Sequence, residues 1–207
     1  MWFIEDNLVY CKIFSDYGIK NFITTKKLSD MTHTANRDKI LESFGIKPNF
    51  LVTAEQIHSS KVYHVKKENL GEKISRVDGL VTDIKGIPLG ILTADCVPVF
   101  MVDKNKKRIG LIHCGRKGLE EGIIENGVDI FENPQDIEVA LGPHICPKCY
   151  PINLSGEILR RLKSKGVKEK NIYSIDLEKF CTFHNPESFF SYRRGDKISR
   201  MISVIQM

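Results

Sequence analysis

The longest apolar stretch of the chain, LGILTADCVPVFMVD over residues 89–103, most constrains the fold that this sequence can adopt. Pro98 lies inside it, and proline cannot donate a hydrogen bond to a neighbouring strand, which argues against one continuous central strand. Ala94, Asp95 and Cys96 also interrupt the run. We therefore predict two strands separated by a bend, with Cys96 presented at the bend.

The segment that follows gives the middle of the chain an α/β character. IGLIH, at 109–113, is typical of a buried strand, and Gly115 and Gly118 mark a turn into a helix over roughly 119–131. Other elements follow from periodicity and turn residues, with helices predicted at 35–45 and 155–165 and strands at 2–14, 50–56, 61–65, 78–83, 137–142 and 188–207. The prediction is an α/β fold with one domain over residues 1–207, a length that suits one core.

Composition narrows the functional classes. The net charge of +5 comes from dispersed lysines rather than from a recognisable nucleic-acid-binding module, so we expect no nucleic-acid partner. No apolar run approaches the roughly 20 residues of a membrane helix, and the N-terminus lacks the pattern of a signal peptide. The six cysteines then favour metal binding, catalysis or burial over disulfides, which predicts a reducing, cytoplasmic setting without membrane association.

Three residues that end separate apolar strands carry the strongest chemical signal: His58, Cys96 and His113. One thiolate and two imidazoles suit a tetrahedral zinc ion whose fourth position remains open to water or substrate. Each residue alone has a structural alternative, namely a strand-end histidine, a small buried cysteine or a capping histidine. If the three converge, they form a catalytic rather than a structural metal site.

Neighbouring residues suggest supporting roles. Asp95 could orient a ligand or shuttle a proton, or it could be an ordinary turn residue. The segment 115–118 joins a strand to a helix and carries Arg116 and Lys117, so it could bind an anion or be an exposed basic turn. The C-x-x-C pair at Cys146 and Cys149 follows His144 and could bind a structural zinc ion or act as a redox pair. No second C-x-x-C is present to complete a four-ligand site, so an ordinary structural role for the two cysteines is favoured.

Six motifs in order resemble those of the YfiH family, also called multicopper polyphenol oxidases (laccase-like): QIHSSKV, DGLVTD, TADCVPV, HCGRKGL, GPHICPKCYPI and CTFHNPESFFSYRRGDKISRMISVI. The resemblance runs from about residue 50 to the C-terminus. It implies an enzyme that phosphorolyses adenosine, inosine or methylthioadenosine and deaminates adenosine. It also implies mixed sheets flanked by helices, similar to the catalytic domain of cytotoxic necrotizing toxins.

Position by position, the resemblance implies metal ligands at His58, Cys96 and His113. Zinc is expected rather than copper, because a multicopper site needs many histidines and the chain has six. The expected substrates are a purine nucleoside and phosphate, with Lys117 and either Arg37 or Arg200 holding the phosphate and Asp95 as a catalytic group. The family's tryptophan and arginine after the glycine are Arg116 and Lys117 here, which alters the anion contacts.

Two alternatives use the same residues differently. Cys96 could be the nucleophile of a metal-free hydrolase with His113 as its base. The chain could also be a non-catalytic zinc-binding protein that takes part in cell-wall quality control. Either form is compatible with a monomer or a homodimer.

Overall fold

The structure is a computed structural model that describes residues 2–103, 105 and 107–207. Within these residues the strands are β1 (Trp2–Glu5), β2 (Leu8–Cys11), β3 (Lys20–Thr24), β4 (Val52–Ala54), β5 (Val62–His64), β6 (Lys73–Ile74), β7 (Gly79–Thr82), β8 (Leu89–Thr93), β9 (Val97–Asp103), β10 (Arg108–Cys114), β11 (Glu138–Leu141), β12 (Ile172–Tyr173) and β13 (Met201–Gln206). The helices are α1 (Lys12–Asp16), α2 (Thr34–Ser43), α3 (Arg116–Glu120), α4 (Ile123–Asp129), α5 (Leu154–Ser164) and α6 (Leu177–Phe180).

The described strands form two mixed sheets. One has the order β1-β2-β3-β13-β8-β4-β6 and the other β12-β11-β9-β10-β7-β5. Most neighbours are antiparallel, whereas β4 runs parallel to β6 and β8, β5 runs parallel to β7, and β11 runs parallel to β12. The predicted α/β class with mixed sheets is confirmed; the similarity to toxin catalytic domains and the single domain over residues 1–207 stay predictions.

Alternating side chains of the central strands build the layers. In β9, Phe100 and Val102 join the core that both sheets share, whereas Val99 and Met101 face a second core formed with α3, α4 and α5. On the other sheet, Ile202 and its neighbours pack with α2 in a third core. The period of two along each strand therefore places one helical layer outside each sheet.

The bend in the long apolar stretch is confirmed, because β8 ends at Thr93 and β9 begins at Val97. Pro98 is tolerated in β9 since the ladder to β11 stops at Val99, so no neighbour on that side needs an N–H from the proline. Its carbonyl oxygen still accepts a hydrogen bond from the Gly142 N–H at 3.0 Å. The bend therefore leads straight into a well-anchored strand.

Several element predictions were wrong in their extent. The predicted strand pair over 2–14 ends at Cys11, where α1 begins. The predicted helix over 119–131 is two helices that break at Gly122, which adopts a left-handed φ of 92°. Residues 188–194 form turns rather than a strand, because Ser191 donates its N–H to Asp196 within a local turn instead of to a neighbouring strand.

Candidate active site

His58, Cys96 and His113, hereafter the trio, converge although they lie on three different segments. His58 lies in the loop between β4 and β5, Cys96 in the bend between β8 and β9, and His113 near the end of β10. Cys96 Sγ lies 3.8 Å from His58 Nε2, and one ligand atom from each residue lies within 4.8 Å of the others. The spacing is suited to a shared metal ion.

A buried carboxylate, Asp78, holds two of the three segments. Asp78 Oδ1 contacts His113 Nδ1 at 2.8 Å and accepts the His58 N–H at 2.9 Å. Its Oδ2 accepts the Ser59 N–H at 2.6 Å and the Ser59 hydroxyl at 2.9 Å. With Nδ1 of His113 engaged by the carboxylate, Nε2 is left to face the trio's centre, which is a common arrangement behind metal-binding histidines.

The sequence analysis missed Asp78, although it opens the DGLVTD motif. Its signal was a lone acid at the start of a fully buried strand, since an unpaired buried charge is costly and implies partners. The partners lie about 20 and 35 residues away in the chain, at His58 and His113. No local pattern pairs residues at such separations.

Two glycines of the HCGRKGL motif, Gly115 and Gly118, are required because a side chain at either position would have no space. Neither glycine is needed for an unusual backbone conformation. A Cβ on Gly115 would lie 2.8 Å from a carbon of the His58 ring and 2.9 Å from Cys96 Sγ. A Cβ on Gly118 would lie 2.8 Å from the carbonyl oxygen of Ser59. The strand-to-helix turn therefore packs directly on the trio, and any larger residue at either position would displace it.

The three residues of the trio differ in burial: His113 is buried, Cys96 is partly buried and His58 is exposed. Burial by itself would raise the pKa of the Cys96 thiol, but the adjacent His113 and His58 lower it to about 6. Burial likewise opposes charge on His113, but the Cys96 thiolate and Asp78 raise its pKa to about 9. Burial also opposes charge on Asp78, yet hydrogen bonds from His113 and Ser59 lower its pKa to about 2. A thiolate at neutral pH is the form that binds metal or acts as a nucleophile.

The trio lies in the wall of a cavity of about 980 Å³. The seven site residues predicted from sequence all line this cavity: Arg37, His58, Asp95, Cys96, His113, Lys117 and Arg200. The lining has six basic side chains against one carboxylate, that of Asp95; the basic ones are Arg37, Lys73, Arg116, Lys117, Arg193 and Arg200. This excess of positive charge suits an anionic ligand.

Comparison with known proteins agrees with the motifs. The family profile described as multi-copper polyphenol oxidoreductase laccase matches residues 21–158 and 151–207. The chain belongs to this family. It is 28% identical over 199 residues, covering 82% of this chain and 79% of the relative, to a Haemophilus influenzae protein named purine nucleoside phosphorylase.

Solved structures of the laccase family have the same fold. YlmD from Geobacillus stearothermophilus is 26% identical and superimposes with a TM-score of 0.91, covering 99% of this chain and 98% of that one. The Bacillus licheniformis hypothetical protein YfiH is 23% identical, with a TM-score of 0.92 and coverage of 100% and 98%. The predicted resemblance to the YfiH family is therefore confirmed.

In this laccase-family chain, Asp95 joins two loops. Its Oδ1 accepts the Thr182 hydroxyl at 2.6 Å, its Oδ2 accepts the Arg193 N–H at 2.7 Å, and its carbonyl oxygen accepts the Ile145 N–H at 3.0 Å. Both carboxylate oxygens are thus engaged by the protein. These contacts favour positioning of the cavity wall over proton transfer, and the catalytic role stays a prediction.

The predicted phosphate-binding residues differ in whether their charged groups already have partners within the protein. Arg37 donates to the carbonyl oxygens of Met31 and Thr32, and Arg200 donates to carbonyl oxygens of its own turn. Lys117 is 65% exposed and lies 3.8 Å from Glu121, a weak surface ion pair. Their roles stay predictions, with Lys117 the most accessible of the three to a ligand.

Arg193 is a cavity residue that the sequence analysis did not single out. It is exposed, lies over the Tyr150 ring at 5.2 Å, and its guanidinium forms no ion pair within the described part of the chain. Its backbone N–H is fixed by Asp95. The signal was the paired arginine in FSYRR, of which Arg194 instead donates to the backbone carbonyls of Thr182 and Phe183.

The C-x-x-C pair lies outside the trio. His144, the histidine nearest in sequence, is buried with Nδ1 on the Gly142 carbonyl oxygen at 2.7 Å and does not join the two cysteines. The cysteines instead meet Cys181 and His184, and the four residues form a second cluster, hereafter the quartet. The sequence has no second C-x-x-C, but Cys181 and His184 form a C-x-x-H pair that lies beside the two cysteines.

Every helix within the described residues is too short or too polar to cross a lipid bilayer.

Proposed function

We propose that this chain is a zinc-dependent purine nucleoside phosphorylase, with the metal held by His58, Cys96 and His113. The observation that carries the proposal is the position of the trio in the wall of a large cavity lined by six basic side chains. The names of relatives such as the Haemophilus influenzae protein point to the same reaction class.

The donor set supports zinc as the ion. One thiolate and two imidazoles form a set that zinc accepts in catalytic sites, where a fourth position stays open to a water or substrate oxygen. The carboxylate of Asp78 behind His113 fixes that ring in the orientation a ligand needs. When bound, zinc acts as a Lewis acid that activates or orients an oxygen ligand.

The cavity's basic residues are the proposed phosphate site. Arg193 is exposed and free of ion pairs within the described chain, and Lys117 is held only by a weak surface pair. Arginine binds two phosphate oxygens at once, whereas lysine contributes a point charge. We assign the main phosphate contact to Arg193 and a supporting charge to Lys117, with Arg37 and Arg200 adding to the positive potential.

The rest of the lining suits a purine nucleoside. Tyr150 and Tyr192 offer aromatic faces, and Ile145, Leu92 and Ile198 add apolar surface. A cavity of about 980 Å³ is within the range that binds ligands of nucleoside size. The base can pack on this apolar wall while the ribose faces the trio, and attack by phosphate at the ribose then releases the free base.

The test is product analysis with zinc-loaded protein, adenosine, inosine or methylthioadenosine, and phosphate. We expect the free base and ribose 1-phosphate, or methylthioribose 1-phosphate, in equal amounts. Adenosine incubated without phosphate tests the deaminase activity, for which inosine is the product. Formation of none of these products by zinc-loaded, folded protein contradicts the proposal and leaves the non-catalytic zinc-binding alternative.

A second candidate function rests on the lowered pKa of Cys96. A thiol with a pKa of about 6 beside His113 is also what a metal-free cysteine hydrolase requires. The two functions differ in the effect of zinc on alkylation. Zinc coordination protects the Cys96 sulfur from iodoacetamide, whereas a metal-free nucleophile reacts at the same rate in the presence of zinc.

A further inference from the structure

The quartet brings together four soft ligands from two loops. Cys146 and Cys149 lie in the loop after β11, while Cys181 and His184 follow α6. The two loops therefore contribute one C-x-x-C and one C-x-x-H motif. Paired motifs of this spacing are typical of structural zinc sites.

The distances suit one tetrahedral ion. Zn–S bonds of about 2.3 Å and Zn–N bonds of about 2.0 Å place sulfurs roughly 3.8 Å apart and a sulfur roughly 3.5 Å from the nitrogen. The sulfurs of Cys146 and Cys149 are 3.6 Å apart. His184 Nε2 lies 3.0 Å from the Cys149 sulfur, and the other ring nitrogen, Nδ1, lies 3.8 Å from the Cys146 sulfur. All four ligand atoms lie within 4.8 Å of one another.

Hydrogen bonds around the quartet hold the two loops in register. The Cys146 N–H donates to Cys181 Sγ at 3.3 Å, and the Thr182 N–H donates to the His144 carbonyl oxygen at 3.1 Å. Arg194 donates to the carbonyl oxygens of Thr182 and Phe183, between Cys181 and His184. The ligands are therefore positioned by the protein itself.

Neither burial nor disulfide pairing explains this convergence. Burial accounts for Cys146 and Cys181, but Cys149 is only partly buried and His184 is exposed, and both still approach the buried sulfurs. The three cysteines of the quartet, Cys146, Cys149 and Cys181, are all free thiols. A dithiol redox pair needs only two sulfurs and leaves the third thiol and the imidazole without a purpose.

We propose that Cys146, Cys149, Cys181 and His184 bind one structural zinc ion, distinct from the metal of the trio. Three thiolates and one imidazole fill a tetrahedral shell, so no position is left for a substrate. The absence of a carboxylate from the set disfavours magnesium and calcium, which require oxygen ligands. Binding displaces the protons of thiols that are protonated, and these leave to solvent.

The ion would fix one wall of the cavity. Ile145 and Tyr150 flank the two cysteines of the first loop and line the cavity, and Asp95 bonds to Ile145 and Thr182 beside the ligands. A rigid quartet thus positions the surface on which we place the nucleoside base. Its role is to position cavity residues, without contact to the reacting atoms.

Metal analysis of purified protein tests the site. Relative to the unsubstituted chain, Cys149→Ala and His184→Ala should each contain one zinc equivalent less. Cys11→Ala and His33→Ala are matched controls outside both clusters and should keep the full content. Equal zinc in the unsubstituted chain and in Cys149→Ala overturns the proposal, as does a zinc-free chain whose intact mass shows the loss of two hydrogens to a disulfide.

A second measurement leaves the residues of the quartet unchanged. Its result does not depend on whether the chain has the proposed phosphorylase activity. Cobalt(II) is added to metal-stripped Cys96→Ser, which lacks the thiolate of the trio. Strong thiolate-to-cobalt absorption from three sulfurs, at one equivalent and displaced by zinc, supports the site whatever the nucleoside assays show. Absence of that absorption from folded Cys96→Ser overturns the site, even if the unsubstituted enzyme proves active.

Discussion

The trio and the quartet both consist of cysteine and histidine, but they differ in the number of ligands and in their exposure to the cavity. The trio presents three ligands toward a cavity, whereas the quartet has four ligands that surround one point. Three protein ligands leave an open position for chemistry and four close it, so ligand number separates a reactive site from a structural one. Cysteine and histidine content alone, which is what composition reports, cannot make this distinction.

The supports of the two clusters differ as well. In the trio, Cys96 and His113 lie at strand ends and His58 lies in the loop between β4 and β5. One fully buried carboxylate, Asp78, holds the segments of His58 and His113. The quartet lies on loops whose links are a few backbone hydrogen bonds and Arg194. We therefore expect the trio to be preorganised before it binds the proposed metal, and the quartet to draw more of its order from the proposed zinc ion.

The largest effect is expected from removing the trio's thiolate. Cys96→Ser should lower kcat/KM for nucleoside phosphorolysis on the order of 10³-fold, because several kcal/mol of transition-state stabilisation depend on the metal. Steady-state kinetics on zinc-loaded protein measure this loss. Cys11→Ala is the matched control and should keep its activity; activity of Cys96→Ser near that of the control would place the chemistry elsewhere.

A smaller effect is expected from the carboxylate behind the trio. Asp78→Asn keeps the shape but removes the charge and one acceptor, so zinc affinity at the trio should fall about 10- to 100-fold. Competition with a chelator measures this zinc affinity, and an unchanged circular dichroism spectrum shows that the variant is folded. Asp83→Asn, which disturbs only the pairing with His64 and Arg108, is the control. Equal affinity in both variants would show that Asp78 is only structural.

The pH dependence of alkylation tests the charge state of the trio. Because the pKa of Cys96 is lowered to about 6, the thiolate of metal-stripped protein persists at neutral pH and is lost as pH falls through that value. The iodoacetamide rate at Cys96 should be nearly flat from pH 7 to 8 and fall about tenfold by pH 5.

The alkylation experiment has two controls. Burial raises the pKa of Cys11 to about 12, so its thiol should stay unreactive throughout the range, as peptide mapping would show. Adding two equivalents of zinc, enough for both the quartet and the trio, should abolish the reaction at Cys96. An unchanged rate with zinc would favour the metal-free hydrolase over the phosphorylase.

The smallest effect is expected at the proposed phosphate contact. Arg193→Lys keeps the charge but loses the two-pronged contact, so KM for phosphate should rise about fivefold, or about 1 kcal/mol, with little change in kcat. Arg160→Lys, on the exposed side of α5 beside Glu157, should leave both constants unchanged. A lower kcat without a change in KM would assign Arg193 to the reacting centre instead.

The sequence allowed prediction of the parts that depend on local signals. Apolar runs located most strands, and Pro98 and the residues around Asp95 located the bend. Residue types and the family resemblance pointed to the trio, but the sequence alone left its convergence open. The strand pairing, such as β4 beside β8, joins segments tens of residues apart and leaves no periodic trace.

The missed residues have the same physical cause. Asp78 and His113 are 35 positions apart, as are Cys149 and His184, so each pair is close only after the sheets and loops have formed. The quartet was also hidden by a search for a second C-x-x-C, although a C-x-x-H supplies an equivalent donor set. A search for any paired soft ligands would have found Cys181 and His184.

Asp95 limits which residues evolution can place at the bend. Its φ of 87° lies in a region that few residues other than glycine, asparagine and aspartate adopt readily. Glycine would suit that backbone but would abandon the Thr182 hydroxyl and the Arg193 amide, while glutamate would keep a carboxylate on a backbone it strains. Few residue types can therefore adopt this backbone and also accept the two hydrogen bonds, which restricts substitution at position 95.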